Sequence, residues 1–165
     1  MTGNERPGGR HELNLDLPAA HRGVRVARNV VRRFARMQGI PHSEVDYLIL
    51  VVSELLANVI DHGGGGAAMS EEDMTSDVRM RMSLTVDPNG WSLSVTDEGG
   101  GDVAEVNALL KPEGIPDLED DRGRGLFLLA QMVDGLTVMQ NAEGTGLTFL
   151  ARKQLRSETP DEASN

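Results

Sequence analysis

The sequence predicts an α+β fold in which helices cover one face of a mostly antiparallel, mixed sheet, giving a two-layer α/β sandwich. Strand-like alternation and helix-like periodicity follow one another in the order β-α-α-β-β-α-α-β-β, without the regular βαβ repeat of a parallel sheet. A chain of 165 residues also fits one domain with a sizeable core better than two. We therefore expect one domain over residues 12–153, between a disordered leader at 1–11 and a disordered tail at 154–165.

The first half of the chain predicts one strand and two helices. Residues 12–17 alternate leucine with polar residues, which is typical of a half-buried strand. Residues 20–38 carry apolar side chains at helical spacing with arginines on the opposite side, which predicts an amphipathic helix. Gly39 separates it from a second helix at 43–62, which has Ser43 as the expected N-cap. The second helix is apolar on almost every side, so we expect it to be buried.

The second half predicts four strands and two shorter helices. An acidic, glycine-rich segment at 63–77 is expected to be a mobile loop, and Pro88-Asn89-Gly90 is expected to be a hairpin turn. The remaining predicted elements are strands at 78–87 and 91–96, a helix at 103–110, a loop at 111–122, a helix from about 125 to 133, and strands at 136–140 and 147–153.

Composition excludes several classes of function. The 26 acidic residues outnumber the 16 lysines and arginines, and a formal charge of −10 disfavours direct binding to nucleic acid. The chain has no cysteine, which excludes disulfides and thiolate metal sites. No apolar run reaches the roughly 18 residues needed to cross a bilayer. We expect a soluble cytoplasmic protein that does not bind a membrane.

A narrow polar stripe interrupts the apolar second helix. Glu54, Asn58 and Asp61 lie at positions i, i+4 and i+7, so they share one face, with His62 at its edge. An unpaired buried polar group costs about 1–3 kcal/mol, so the stripe must face solvent, structural partners or a ligand. A carboxylate and an amide one turn apart suit a base and an oxygen ligand for Mg²⁺. The solvated face of an ordinary amphipathic helix is the open alternative.

A glycine segment follows the strand predicted at 91–96. Asp97 precedes Gly99 and Gly101, where glycine permits close approach of a ligand. The Asp97 carboxylate could accept a hydrogen bond from an exocyclic amine such as that of adenine. An acidic turn that leaves a strand has the same pattern and stays an alternative.

A second glycine segment is predicted to open a helix. Gly123 and Gly125 flank Arg124, and Arg122 precedes them. The free N–H groups and dipole of a helix N-terminus favour phosphate, and arginines add donors. An ordinary loop before a helix would look similar. No Walker-type sequence and no dinucleotide-type βαβ unit is present, which disfavours a P-loop or Rossmann site.

The order and spacing of these segments resemble the GHKL ATPases, of gyrase, heat-shock chaperone, histidine kinase and mismatch-repair type. Residues 53–63 (SELLANVIDHG) look like the N box of that superfamily, and residues 97–101 (DEGGG) resemble its D-x-G-x-G box. Residues 123–126 (GRGL) resemble its second glycine box, and residues 146–148 resemble the final box. Within the superfamily the chain is most similar to bacterial anti-sigma factor serine kinases. The resemblance implies a Bergerat fold over about residues 12–153.

The resemblance also implies roles for single residues. Glu54 would be the catalytic general base and Asn58 the Mg²⁺ ligand, while Asp97 would bind the adenine amine with Thr148 beside it. Residues 102–122 would form the ATP lid. The residues expected to bind the cofactor are Asn58, Asp61, His62, Asp97, Gly99, Gly101, Arg122, Gly123, Arg124, Gly125, Leu126 and Thr148.

The implied activity is transfer of a phosphoryl group from Mg-ATP to a serine of a STAS-type anti-sigma factor antagonist. The implied partners are that antagonist, a sigma factor that the protein sequesters, and a second copy in a homodimer. Three features depart from the family pattern: Leu147 replaces the threonine often found after the last glycine, an acidic run at 119–121 precedes the second glycine box, and the loop at 63–77 is longer and more glycine-rich than the family pattern. A non-catalytic ATP-binding module that controls a partner by binding alone is the alternative.

Overall fold

Nine elements appear in the computed structural model, which describes residues 8–63, 78–98, 101–110 and 121–155; the side chains at 61–63, 109 and 121–123 lie outside this description. The element order matches the predicted order, which confirms the α+β fold. The elements are β1 (His11–Pro18), α1 (His21–Met37), α2 (His42–Gly63), β2 (Arg79–Asp87), β3 (Gly90–Asp97), α3 (Val103–Leu110), α4 (Asp121–Met132), β4 (Gly135–Gln140) and β5 (Leu147–Gln154).

The five strands form one sheet in the order β1-β2-β3-β5-β4. Every pairing between neighbouring strands is antiparallel. The prediction of a mostly antiparallel sheet is confirmed, and no parallel pair occurs among the strands that the structure describes. The last two strands change places in the order, so β5 lies beside β3 and the start of β5 meets the end of β3.

Alternation along the strands produces the two layers. On β3, Leu93 and Val95 are fully buried while Ser94 and Thr96 are partly exposed. The buried side chains of the sheet pack in one core with helices α1, α2 and α4, as a two-layer sandwich requires. Burying each large aliphatic side chain stabilises the fold by about 1.5–3 kcal/mol. The largest fully buried side chains are Leu48, Leu55, Leu56, Met80, Leu84, Leu93, Leu126 and Leu129.

Two turns lie at the positions that the sequence predicted, one after helix α1 and one between β2 and β3. Gly39 has a φ of 73°, and its N–H donates to Arg36 O while the Ile40 N–H donates to Ala35 O. This is a Schellman cap, which requires the left-handed conformation that glycine adopts without strain. In the β2–β3 hairpin, Asp87 Oδ1 accepts hydrogen bonds from Asn89 N at 2.7 Å and Gly90 N at 3.0 Å. A side chain at this turn therefore sets the register of the two strands.

Two predicted helix starts are wrong. Helix α2 begins at His42, so Ser43 lies inside its first turn and is not the N-cap. Helix α4 begins at Asp121, four residues before the predicted start at Gly125. Glycine costs only about 1 kcal/mol in a helix, which the packing of Leu126 and Leu129 outweighs.

The ends of the domain lie close to the predicted boundaries. Strand β1 begins at His11 and β5 ends at Gln154, one residue beyond each predicted domain boundary. The loop predictions for 64–77 and 111–120, and most of the predicted leader and tail, lie outside the described residues. Among the helices that the structure describes, none has the length and apolar character needed to cross a bilayer.

Candidate functional site

Asp97 is held in place at the point where β3 ends beside the start of β5. The side chain is only 4% exposed, and its Oδ1 accepts a hydrogen bond from Leu147 N at 2.9 Å. The Asp97 carbonyl accepts a second bond from Asn141 Nδ2 at 3.2 Å. We call Asp97, Asn141, Gly146 and Leu147 the anchor cluster. A carboxylate has about four lone-pair positions, so it can accept several hydrogen bonds at once.

Gly146 allows the close approach on which the anchor cluster depends. A Cβ added at this position would lie 2.5 Å from Asp97 Oδ1 and closer still to the Asp97 carbonyl oxygen. Gly101 is similarly close to the cluster, because a Cβ there would lie 2.7 Å from Leu147 Cδ1. Gly146 therefore lets the start of β5 approach the Asp97 carboxylate, and Gly101 leaves room for the Leu147 side chain.

Thr148 lies on the opposite face of the sheet from the Asp97 side chain. Its hydroxyl is 3.0 Å from the hydroxyl of Thr96, its direct partner across β3 and β5. Because successive side chains on a strand point to opposite faces, Thr96 and Thr148 face away from the side on which Asp97 is buried. The side chain beside Asp97 on β5 is that of Leu147. The expectation that the Thr148 hydroxyl lies beside Asp97 is wrong in this structure.

Helix α2 carries the two central residues of the predicted polar stripe. Glu54 is partly exposed, whereas Asn58 is only 9% exposed, and Asn58 Nδ2 has no hydrogen-bond partner in the part of the chain that the structure describes. An orphaned buried amide destabilises a folded protein, which makes this position suited to a ligand. The same amide carries an oxygen, the ligand type that Mg²⁺ prefers.

Glu54 faces helix α4 across a groove. A Cβ added at Gly125 would lie 3.0 Å from Glu54 Oε2, so glycine leaves room for the carboxylate. The groove between α2 and α4 has a volume of about 250 Å³, with Glu54 and Arg124 on opposite walls. We call this the α2–α4 groove; its lining residues are Leu50, Glu54, Arg124, Gly125, Leu128, Leu129 and Met132.

The other predicted site residues fall into two groups. Leu126 is 2% exposed in the hydrophobic core, so a role in ligand binding would have to involve its backbone. Gly123 belongs to the described backbone of α4. Gly99 and the side chains of Asp61, His62 and Arg122 lie outside the described residues.

Sequence reasoning missed the role of Asn141. Its side chain contacts Asp97 from 44 positions further along the chain, and its Oδ1 accepts a hydrogen bond from Thr145 N at 3.0 Å. The only sequence signal was an Asn in a turn segment, which is common. The lining residues Leu50 and Leu128 were also missed, because an exposed leucine on a helix has no distinguishing pattern.

The described part of the site has no preformed multi-ligand metal centre. Among the described residues, no group of three or more His, Cys, Asp or Glu side chains is arranged to hold a metal ion. This arrangement is compatible with Mg²⁺, which takes one or two protein ligands and completes its shell with phosphate oxygens and water. Asn58 is the described residue that fits this role.

The class of the protein follows from comparison with known families. The model of the histidine kinase-like ATPase domain matches residues 17–150, which include the anchor cluster and the α2–α4 groove. The chain therefore belongs to the histidine kinase-like ATPase domain family, and this confirms the resemblance to the GHKL ATPases. Membership in a family of ATPase domains implies that the nucleotide is ATP.

Two solved structures share the fold at low sequence identity. One contains the RsbU and RsbW domains of Rv1364c from Mycobacterium tuberculosis, with 18% identity, a TM-score of 0.54, and coverage of 88% of this chain but 32% of that chain. The other is the SiaB–SiaC complex from Pseudomonas aeruginosa, with 15% identity, a TM-score of 0.53, and coverage of 87% and 89%. This chain thus spans about a third of the first relative. No curated protein sequence matches it.

Proposed function

We propose that this protein is an ATP-dependent serine/threonine-protein kinase that phosphorylates a STAS-type anti-sigma factor antagonist and sequesters a sigma factor, acting in the cytoplasm as a homodimer. One observation carries the proposal: the Glu54 carboxylate lies against Gly125 and lines an open groove that a partner protein can reach. The Glu54 side chain is partly exposed, so an acceptor hydroxyl can reach it.

The proposed reaction uses Glu54 as the general base. The serine hydroxyl oxygen of the acceptor attacks the terminal phosphorus of ATP, the bond to the bridging oxygen breaks, and ADP leaves. Glu54 takes the proton of the hydroxyl as the new P–O bond forms. Arg124, on the opposite wall of the groove, would offset negative charge on the transferred phosphoryl group.

The proposed nucleotide contacts divide between the two ends of the site. Asp97 would accept a hydrogen bond from the adenine amine, because the anchor cluster holds this carboxylate in a fixed position. Asn58 would supply an amide oxygen to Mg²⁺, which when bound neutralises charge on the phosphates. The unpartnered Asn58 amide supports this role.

The two structural relatives support the proposal that this protein controls a partner protein. SiaB was solved as a complex with a second protein, SiaC, and the RsbW domain occurs in one chain with an RsbU domain. Both relatives are therefore found together with another domain or protein.

The test begins by capturing partners with the full-length chain and offering them radiolabelled ATP. Wild type should transfer the label to a serine of the antagonist. Glu54→Gln should slow transfer by about 10²–10⁴-fold, the usual contribution of a general base, and ATP binding should be preserved. Asp46→Asn is the matched control, because it removes an exposed carboxylate elsewhere on α2.

The results distinguish a kinase from a binding module. Equal transfer by wild type and Glu54→Gln would contradict the role of Glu54. Absence of transfer by either protein, together with unchanged control of the partner, would favour the non-catalytic ATP-binding module.

A further inference from the structure

Exposed apolar side chains lie along α2 on the N-terminal side of Glu54, the proposed general base. Leu50 is 45% exposed and lies one turn before Glu54, and Tyr47, which is 38% exposed, lies three residues earlier. Leu128, which is 51% exposed, lies on the opposite helix and lines the same groove as Leu50. Isolated exposed leucines are common on protein surfaces, but an apolar pair facing one groove marks a binding surface.

The two ends of the α2–α4 groove differ in chemistry. The end formed by Glu54 and Arg124 carries one negative and one positive group. The other end, formed by Leu50, Leu128 and Met132, is apolar. A ligand that fills this groove must therefore present a polar group and an apolar group side by side.

Helix and strand geometry set the spacing between those two groups. Leu50 and Glu54 are four residues apart on a helix, which separates them by about 6 Å along its axis. An extended peptide advances about 3.3 Å per residue, so two residues cover nearly the same distance. Side chains two residues apart on an extended chain also point to the same side. The groove thus matches a hydroxyl residue and an apolar residue at positions i and i±2.

We infer that the α2–α4 groove binds an extended segment of the acceptor protein and selects an apolar side chain two residues from the acceptor hydroxyl. The hydroxyl faces Glu54, and the apolar side chain lies between Leu50 and Leu128. This inference rests on the proposed kinase function and adds a sequence preference for its acceptor. The occupant is a protein segment, because the apolar end of the groove continues directly from the carboxylate that serves the hydroxyl.

The test uses an array of peptides with one central serine and a leucine, serine or lysine placed at each position from −4 to +4. Binding and transfer of label from radiolabelled ATP are measured separately on the same array. Wild type should bind and label peptides with leucine at −2 or +2 about tenfold better than the others, as expected for a partly buried apolar contact. The double variant Leu50→Ser/Leu128→Ser should lose that preference.

Controls separate the groove from folding and from self-association. ATP binding reports whether the double variant is folded, and Met139→Ser is the matched control, because Met139 is 44% exposed on β4. Binding without labelling, with the preference intact, would support the groove and count against the kinase. Absence of wild-type binding, or a preference unchanged in the double variant, would overturn the inference. Self-association that the double variant abolishes would assign the groove to a second copy and would also overturn it.

Discussion

The anchor cluster and the α2–α4 groove are organised in opposite ways. The Asp97 carboxylate is buried and accepts a backbone hydrogen bond, and glycine contacts fix the segments around it. Glu54 is partly exposed in an open groove, and its neighbour Asn58 has a buried amide nitrogen without a hydrogen-bond partner among the described residues. One carboxylate is thus buried and held by the backbone, and the other is open to the groove. This difference suits a site that holds the base of a nucleotide rigidly and leaves its reactive end open to a partner.

The largest expected effect of a substitution is at the closest contact of the anchor cluster. Gly146→Ala should lower the free energy of unfolding by about 3 kcal/mol, the upper part of the range for overpacking, because the new Cβ overlaps a backbone carbonyl. Gly135→Ala is the control, since its nearest neighbours are Arg152 side-chain atoms at 3.9 Å. Urea unfolding without nucleotide measures both, and equal unfolding curves would show that the cluster is not tightly packed.

The next effect concerns ATP affinity. Asp97→Asn keeps an oxygen for the Leu147 N–H but removes the charge that should attract the adenine amine. A hydrogen bond to a charged group contributes about 1.5–3 kcal/mol, so ATP affinity should fall about 10–100-fold in calorimetric titrations. Asp134→Asn is the matched control, because Asp134 Oδ2 also accepts a bond from a β5 residue, Gln154 N at 2.6 Å. Equal affinities for the two variants would remove Asp97 from the nucleotide site.

A smaller change in the free energy of unfolding, of opposite sign, is expected from substitution of Asn58. Asn58→Leu removes a buried amide nitrogen that has no hydrogen-bond partner among the described residues. Without nucleotide, the free energy of unfolding should therefore stay the same or rise by up to about 1 kcal/mol. The dependence of ATP binding on Mg²⁺ should weaken in parallel titrations with and without chelator. A loss of 2 kcal/mol or more would indicate that Asn58 has a structural role.

The smallest expected change in stability is at Gly125. Replacing glycine by alanine inside a helix stabilises it by up to about 1 kcal/mol, so Gly125→Ala should raise the free energy of unfolding slightly. Because the new Cβ would lie 3.0 Å from Glu54 Oε2, phosphoryl transfer should nevertheless fall several-fold. In the Glu54→Gln background the same substitution should have no further effect on transfer. Independent, additive losses would show that the two residues do not act together.

The fold could be predicted because its patterns are local. The alternation of β1 and the continuous apolar surface of α2 depend only on neighbouring residues, and Gly39 specifies the cap between the helices in the same local way. The start of α4 could not be predicted in this way, since two glycines argued against a helix that packing stabilises. The side chain of Ser43 was likewise mistaken for a cap, because capping preference does not specify one position within the first turn.

The candidate site was predictable only in part. Helical spacing was enough to propose Glu54 and Asn58 as neighbours. The contact from Asn141 to Asp97 depends on strand order, which brings together residues 44 positions apart. The error at Thr148 has a related cause: the alternation that buries Leu147 and Phe149 already places Thr148 on the other face, but the relation of that face to Asp97 needs the β3–β5 register.

A crystal structure of the protein with Mg²⁺ and a non-hydrolysable ATP analogue would show where the nucleotide binds relative to the anchor cluster and the α2–α4 groove. We expect the adenine amine to donate a hydrogen bond to the Asp97 carboxylate, and the terminal phosphate to lie on the Glu54 and Asn58 side of α2. Adenine bound away from the anchor cluster, or phosphates directed away from Glu54, would contradict this expectation.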